Sequence, residues 1–189
     1  MRHSLHASLL LAALAAAQPS FAQSAAITVA PGATRPAAPS KADVQFAIDA
    51  AAAGLVEVEV GKIAMKRAAS DGVRQFAEVI LEDHSRANEK LTAIASQKNI
   101  SIPKAPDDAA RRRLDELQSL AGEAFDRALL TRARDDHQAA IALFSREAES
   151  GSDPELRKFA SDTLPKLQQH LQHVEVLLKA EAEKISTSP

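Results

Sequence analysis

An all-α fold, a four-helix bundle of two antiparallel hairpins with a short extra helix between them, is what this 189-residue chain predicts, and three observations lead there. Ala and Leu dominate the apolar residues, Tyr, Trp and Cys are absent and Phe is scarce, a mixture that favours helices over sheets. From Asp43 onward, apolar residues recur at three- and four-residue spacing nearly to the C-terminus. Two pairs of these periodic segments are joined by short turns, which makes each pair an antiparallel hairpin. The length suits one core and one domain.

The first residues read "MRHSLHASLLLAALAAAQPSFAQ". A basic start, an apolar run from Leu9 to Ala17, Pro19 and the small-x-small pattern at Ser20 to Ala22 predict a secretory signal peptide over residues 1–22, cleaved after Ala22. The run is too short to span a membrane, which argues against the alternative of an uncleaved anchor. Export to the periplasm is therefore expected. Residues 23–41, rich in Ala and Pro, read as a flexible leader, and residues 42–184 as the bundle.

Loss of Arg2 with the signal leaves 22 basic and 25 acidic residues, so no basic stripe points to nucleic acid. No segment after the signal reads as a transmembrane span. The lack of Cys excludes disulfides, thiolate ligands and a thiol nucleophile.

The first long helix, 43–70, carries Val44, Ala47, Ile48, Ala51, Leu55, Val58 and Met65 on one stripe, and its middle is apolar almost all round. The second, 70–99, starts at Ser70 or Asp71 as cap and faces inward through Val73, Phe76, Ala77, Ile80, Ala87, Leu91 and Ile94. Two prolines in "NISIPKAPDD" stop it. A short charged helix over 107–120 follows, then a long helix over 121–150 ended by Gly151. The last helix, 152–184, opens with Ser152 or Asp153 as cap and Pro154 in its first turn, and Pro165 is expected to kink it.

The second and fourth long helices open "VRQFA" and "LRKFA", while the first and third end "KRAAS" and "REAES". This repetition suggests duplicated hairpins joined by one longer connection, as in ferritin-like bundles; a plain up-down bundle is the alternative. Gly54 and Gly61 read as places of close helix packing.

Four histidines remain after the signal. At 100° per residue His84 falls in the centre of its apolar stripe, His137 shares the inward face of its helix with Asp136, and His170 lies among Thr163, Leu167, Val174 and Leu177. Asp83 lies at the stripe's edge and His173 on a flank. In the first helix Glu59 falls between Leu55 and Ile63 on the inward stripe, so it is preferred over Glu57, which points to a second surface of small residues. Aligning helix ends instead of apolar faces would favour Glu57.

A buried carboxylate needs a partner or a metal. Glu59, His84, His137 and His170, with Asp136 or Asp83 as ligand or tautomer-fixing acceptor and Glu57 as substitute, are thus candidate ligands for one divalent transition metal (Zn, Fe, Cu or Mn). The competing reading is a metal-free polar layer that sets helix register. Ser85 beside His84 makes no triad, and the Arg111 to Arg113 run reads as a solvated face.

At "AAAGLVEVEVGKIA", "VRQFAEVILEDHSRANEKL", "FDRALLTRARDDH" and "DPELRKFASDTLPKLQQHL" the chain resembles a bacterial family of exported ferritin-like proteins of unknown function, often labelled predicted outer-membrane proteins. The resemblance runs from about Val44 to Leu178 and implies an exported four-helix domain without supplying an activity. Ferritin-like di-iron proteins use Glu-x-x-His on two helices. Here Leu81, Arg134 and Leu167 stand three residues before the inward histidines, which argues against di-iron chemistry.

The expected function is a non-enzymatic periplasmic bundle that binds a transition metal or an envelope protein partner, in a stress or homeostasis setting. One alternative is a metal-dependent oxidoreductase of ferritin-like type. Another is an interaction module with a structural polar core, docking through the first helix or the short charged one.

Overall fold

Side-chain caps set most of the helix boundaries. The structure, a computed structural model, describes residues 38–187, with side chains through Lys184. The expected signal segment, and the leader up to residue 37, lie outside the described residues. Five helices follow: α1 (Lys41–Arg67), α2 (Asp71–Gln97), α3 (Asp108–Ser119), α4 (Gly122–Ser150) and α5 (Pro154–Thr187), with no strand among the described residues. Ser40 caps α1 in a capping box with Asp43, Ser70 caps α2 through Val73 N–H, and Asp107 caps α3 through Ala110 N–H. Asp153 accepts from the N–H groups of Glu155 and Leu156 at the start of α5.

Helix α2 stops in a left-handed cap. Asn99 has φ 56°, its N–H donates to Ser96 O and that of Ile100 to Ala95 O, which is the Schellman arrangement, and Asn is among the few non-glycine residues that tolerate it. Pro165, expected to kink α5, lies inside a helix that continues unbroken from Pro154 to Thr187.

Helices α1 and α2 form one hairpin, α4 and α5 the other; they join through α1 on α4 and α2 on α5. At one end Asp43 of α1 bonds Ser152 between α4 and α5, and Lys98 after α2 pairs with Asp153 at 2.7 Å. At the other end Asp126 near the start of α4 receives the N–H groups of Ala69 (3.0 Å) and Ser70 (2.8 Å). The chain leaving α2 must therefore run the length of the bundle before α4 begins, and α3 covers α1 and α4 on that return. Replacing buried Asp126 by Ala, which orphans both N–H groups, is expected to lower the unfolding free energy by about 2 kcal/mol in urea titrations. Asn at this position should cost less; an Ala variant as stable as wild type would show that water replaces the carboxylate.

The α1 surface that packs inward is unusually small. Gly54 and Gly61 face α2, and a Cβ on Gly54 would collide with Asn88 Oδ1, while one on Gly61 would sit 3.0 Å from Leu81 Cβ. These glycines permit the close packing their positions suggested.

The core divides into two apolar halves. Val60, Phe76, Ile80, Phe125, Leu129 and Val174 belong to one; Phe46, Leu91, Phe144, Phe159 and Leu167 belong to the other. On each long helix the residue between the halves is polar: Glu57, His84, His137 and His170. A polar layer at mid-height is thus built into an otherwise apolar bundle.

Candidate metal centre

Three helices place one imidazole each in that layer. His84 lies between Ile80 and Leu91 on α2, His137 between Ala133 and Phe144 on α4, and His170 between Leu167 and Val174 on α5, all phased with their helix's buried face. The rings stand 5.3 to 5.6 Å apart, centre to centre. One ring nitrogen from each lies within 4.8 Å of those of the other two.

Hydrogen bonds assign the protons. His137 Nδ1 lies 2.8 Å from Ala133 O, and because a carbonyl only accepts, Nδ1 carries the hydrogen and Nε2 a lone pair. His170 Nε2 donates to Asp83 Oδ2 at 3.0 Å, leaving the lone pair on Nδ1. These two lone-pair nitrogens then face each other at 3.3 Å, and His84 Nε2 is buried with no partner at all. Two neutral imidazoles held in these tautomers have no proton to share.

Adding a proton is disfavoured where it would help. Burial, reinforced by the charge His137 and His170 would carry, pushes His84 down to about 3. Burial likewise lowers His137 to about 4 despite its bond to Ala133, and lowers His170 against the pull of Asp83. Burial opposes ionisation of Asp83, but the His170 hydrogen bond and the nearby Lys166 charge outweigh it and hold this carboxyl below its usual range. At neutral pH the centre is three neutral imidazoles with an ionised carboxylate behind one of them.

The carboxylates fall otherwise than expected. Glu59, placed on the inward stripe by its spacing, sits on the outer face paired with Lys62 at 2.8 Å, its side chain 40 % exposed. Glu57 takes the inward position at 5 % exposure, with Oε2 unpartnered. Bulky residues on a helix apolar almost all round misplaced the stripe: Ala50, Gly54, Gly61 and Ala64 are buried, the two glycines against α2, and Glu57 shares their side. Asp136, expected beside His137 on the inward face, is exposed at the rim of a neighbouring cavity. Neither Glu57, Glu59 nor Asp136 belongs to the converging set, and Asp83 serves as the acceptor behind His170.

Three residues near the centre escaped sequence reasoning. Asn88 lies one turn after His84 on the same face of α2, a spacing that would have found it. Arg132 and Arg113 flank Asp136 from α4 and α3, and only the path of the crossover brings the second of them there.

Burial, with the charge of Asp136 adding to it and Arg132 partly offsetting it, pushes Glu57 up to about 8. A raised folded pKa favours the fold fully below the unfolded value of 4.5, and that contribution is lost as pH rises through 8. Glu57→Gln is therefore expected to match wild type near about pH 4.5 and to exceed its stability by about 2 kcal/mol near about pH 9, in urea titrations at both pH values. Parallel stability curves would show that Glu57 ionises freely in the folded protein.

A buried, carboxylate-backed triad of imidazoles on an all-helical frame defines this chain as a helical protein with a candidate metal centre. The chain belongs to the family described as a domain of unknown function, DUF4142, whose model matches residues 28–177. No curated protein matches it. Among solved structures, a DUF305 fragment from Deinococcus radiodurans is similar at 16% identity and TM-score 0.67, over 76% of this chain and 99% of that one. CopM in the Cu(I)-bound form is similar at 17% identity and TM-score 0.63, over 73% and 96% of the two chains. At these identities the likeness is one of fold.

Proposed function

We propose that this protein binds one transition-metal ion through His84, His137 and His170, as an exported binding protein of the cell envelope. The observation that carries the proposal is the pair of lone-pair nitrogens, His137 Nε2 and His170 Nδ1, facing each other at 3.3 Å. Ligand nitrogens about 2.0–2.1 Å from a tetrahedral ion lie about 3.3–3.4 Å apart, so this pair is already at metal-binding separation. His84 Nε2, buried with no hydrogen-bond partner, is free to act as the third ligand. A metal-free polar layer would instead leave the facing lone pairs of His137 and His170 without a proton between them.

The donor set favours copper or zinc. All three converging atoms are imidazole nitrogens, with no thiolate and no carboxylate oxygen among them, which disfavours Mg, Ca and Mn. The Cu(I) named for the CopM structure supports copper as the first ion to test. Asp83 and Ala133 would orient two of the three ligands through their other ring nitrogen.

Two hairpins joined by one long crossover is a path that ferritin-like bundles also take, and this supports the kinship read in the sequence. A di-iron oxidoreductase would need bridging carboxylates, and Glu57 and Asp136 stand outside the converging atoms. The N-terminal signal supports periplasmic export, and no helix of the described residues is long and apolar enough to cross a membrane.

Untagged protein, titrated with Cu(I) or Zn(II), is expected to take up one equivalent, to melt at higher temperature and to shift the ring resonances of His84, His137 and His170. Uptake below about a tenth of an equivalent, with no change in melting, would refute the metal reading, since specific binding must stabilise the folded state.

A further inference from the structure

Beside the histidine layer the four long helices enclose a cavity of about 230 Å³. Its inner wall is apolar, made by Ala50, Leu91, Phe144, Phe159 and Leu167. It opens to solvent where the small exposed residues Ala53 on α1 and Ala139 on α4 stand at its edge, with Arg113, Arg132 and Asp136 around the rim. Arg132 already donates to Arg113 O at 2.7 Å, so the rim is partly satisfied within itself.

Glu57, His84 and His137 all reach this wall, and of the three only Glu57 stands outside the imidazole cluster. Glu57 is 95 % enclosed and its Oε2 has no hydrogen-bond partner. Burial keeps this carboxyl protonated at neutral pH, so Glu57 holds a hydrogen that no protein group receives. An unmade bond of this kind is unfavourable, and an empty apolar space of this size forfeits dispersion contacts as well. Water fills such a space poorly, because each molecule needs two or more polar partners and most of the wall offers none.

We infer that this cavity is a binding site for a small uncharged molecule with an apolar body and one hydrogen-bond acceptor, which takes the hydrogen bond that Glu57 lacks. Size sets the body: cavities of about 150 Å³ hold benzene, so this one holds a ring with a short substituent. The inner wall excludes charge, since an ion of either sign would lose its hydration among phenylalanines, while Asp136 offsets Arg113 and Arg132 at the rim. The site uses Glu57 and not the imidazole nitrogens, so it does not rest on the metal reading.

Acetophenone, which has an acceptor, and ethylbenzene, which has the same shape without one, are the probes. Titrated into metal-free protein, each is expected to shift the methyl resonances of Ala50, Leu91 and Leu167 saturably. Acetophenone should bind about tenfold more tightly, the worth of one hydrogen bond. Glu57→Gln keeps a donor and should keep the preference, whereas Glu57→Leu should bind both probes equally. Ala140→Leu, which fills the cavity, should weaken both. Absence of saturable shifts in wild type overturns the inference, as does a preference that survives in Glu57→Leu. Should the Leu variant fail to fold, nuclear Overhauser contacts between acetophenone and the Leu91 and Leu167 methyls in wild type decide the matter, and their absence overturns it.

Discussion

His137→Ala is expected to reduce affinity for copper or zinc by more than about a hundredfold while leaving the helical content intact. Removing an oriented ligand costs more than removing the group that orients it, and the latter alone costs about 10–100-fold in comparable sites. His137 is 1 % exposed and places Nε2 3.3 Å from His170 Nδ1, so its loss removes one of three converging ligands. Asp83→Asn should show the smaller effect, about tenfold or more, because it releases the His170 tautomer without removing a ligand. His173→Ala is the control: that ring is exposed and lies edge-on to Phe76 at 5.3 Å, away from the other three. Competition titrations against a chelator of known affinity measure all three. Affinity preserved in His137→Ala would remove the centre from the protein's function.

Asp43→Ala is expected to cost about 3–5 kcal/mol, the largest stability loss from any single polar substitution considered. Asp43 is fully buried at the first turn of α1 and fixes both its own helix and a distant turn. Its carboxylate accepts from Ser40 N–H at 2.6 Å, closing the capping box, and from Ser152 N–H at 2.8 Å and the Ser152 hydroxyl. Alanine would leave these donors enclosed and unpaired. Burial works against its ionisation, but the Ser152 and Ser40 hydrogen bonds prevail and hold its pKa far below the ordinary 3.8.

The sign of the pH effect follows from that shift. A depressed folded pKa contributes stability that is present above the unfolded value of 3.8 and is lost as pH falls through the folded one. The share of the gap between wild type and Asp43→Ala that comes from this carboxylate's own titration should therefore be constant from about pH 5 upward and shrink in strong acid. Glu147 moderates it: burial and the charge of Asp43 push Glu147 up to about 7, so removing Asp43 relieves one strained neighbour. Urea titrations at neutral and acid pH test both parts. A loss below about 1 kcal/mol at neutral pH would mean that the Ser152 turn does not depend on this carboxylate.

Helix α2 shows how far periodicity can reach. Its apolar and polar faces are sharply separated, so Val73, Phe76, Ala77, Ile80 and Leu91 were legible as inward residues and are buried. The inward phase of His84, His137 and His170 was legible in the same way, because each is spaced by whole helical turns from apolar residues of one face. That they meet at one height was not legible. It depends on how far each helix slides along its neighbours, which caps, glycines and the length of the crossover decide.

Helix α1 shows where the method fails. When a helix is apolar almost all round, projection at 100° per residue finds more than one stripe and cannot say which is buried. The bulkiest stripe pointed to Glu59. Packing selected the stripe of small residues, because Gly54 and Gly61 let α1 approach α2 closely, and that choice turned Glu57 inward. The buried acids at the helix ends, Asp43, Asp126 and Asp153, escaped for another reason: their partners lie in turns or neighbouring helices remote in sequence, and no local pattern marks them.

Composition, periodicity and caps were thus enough to establish, over the described residues, an all-helical domain, the approximate extent of its five helices and the three histidines that face inward, because each of these depends on residues within a few turns of one another. The tertiary structure alone decided which glutamate is buried, which acid supports a histidine and that a cavity opens beside them. Those outcomes depend on the rotation and height of whole helices against one another, which are set by contacts between residues far apart in the chain.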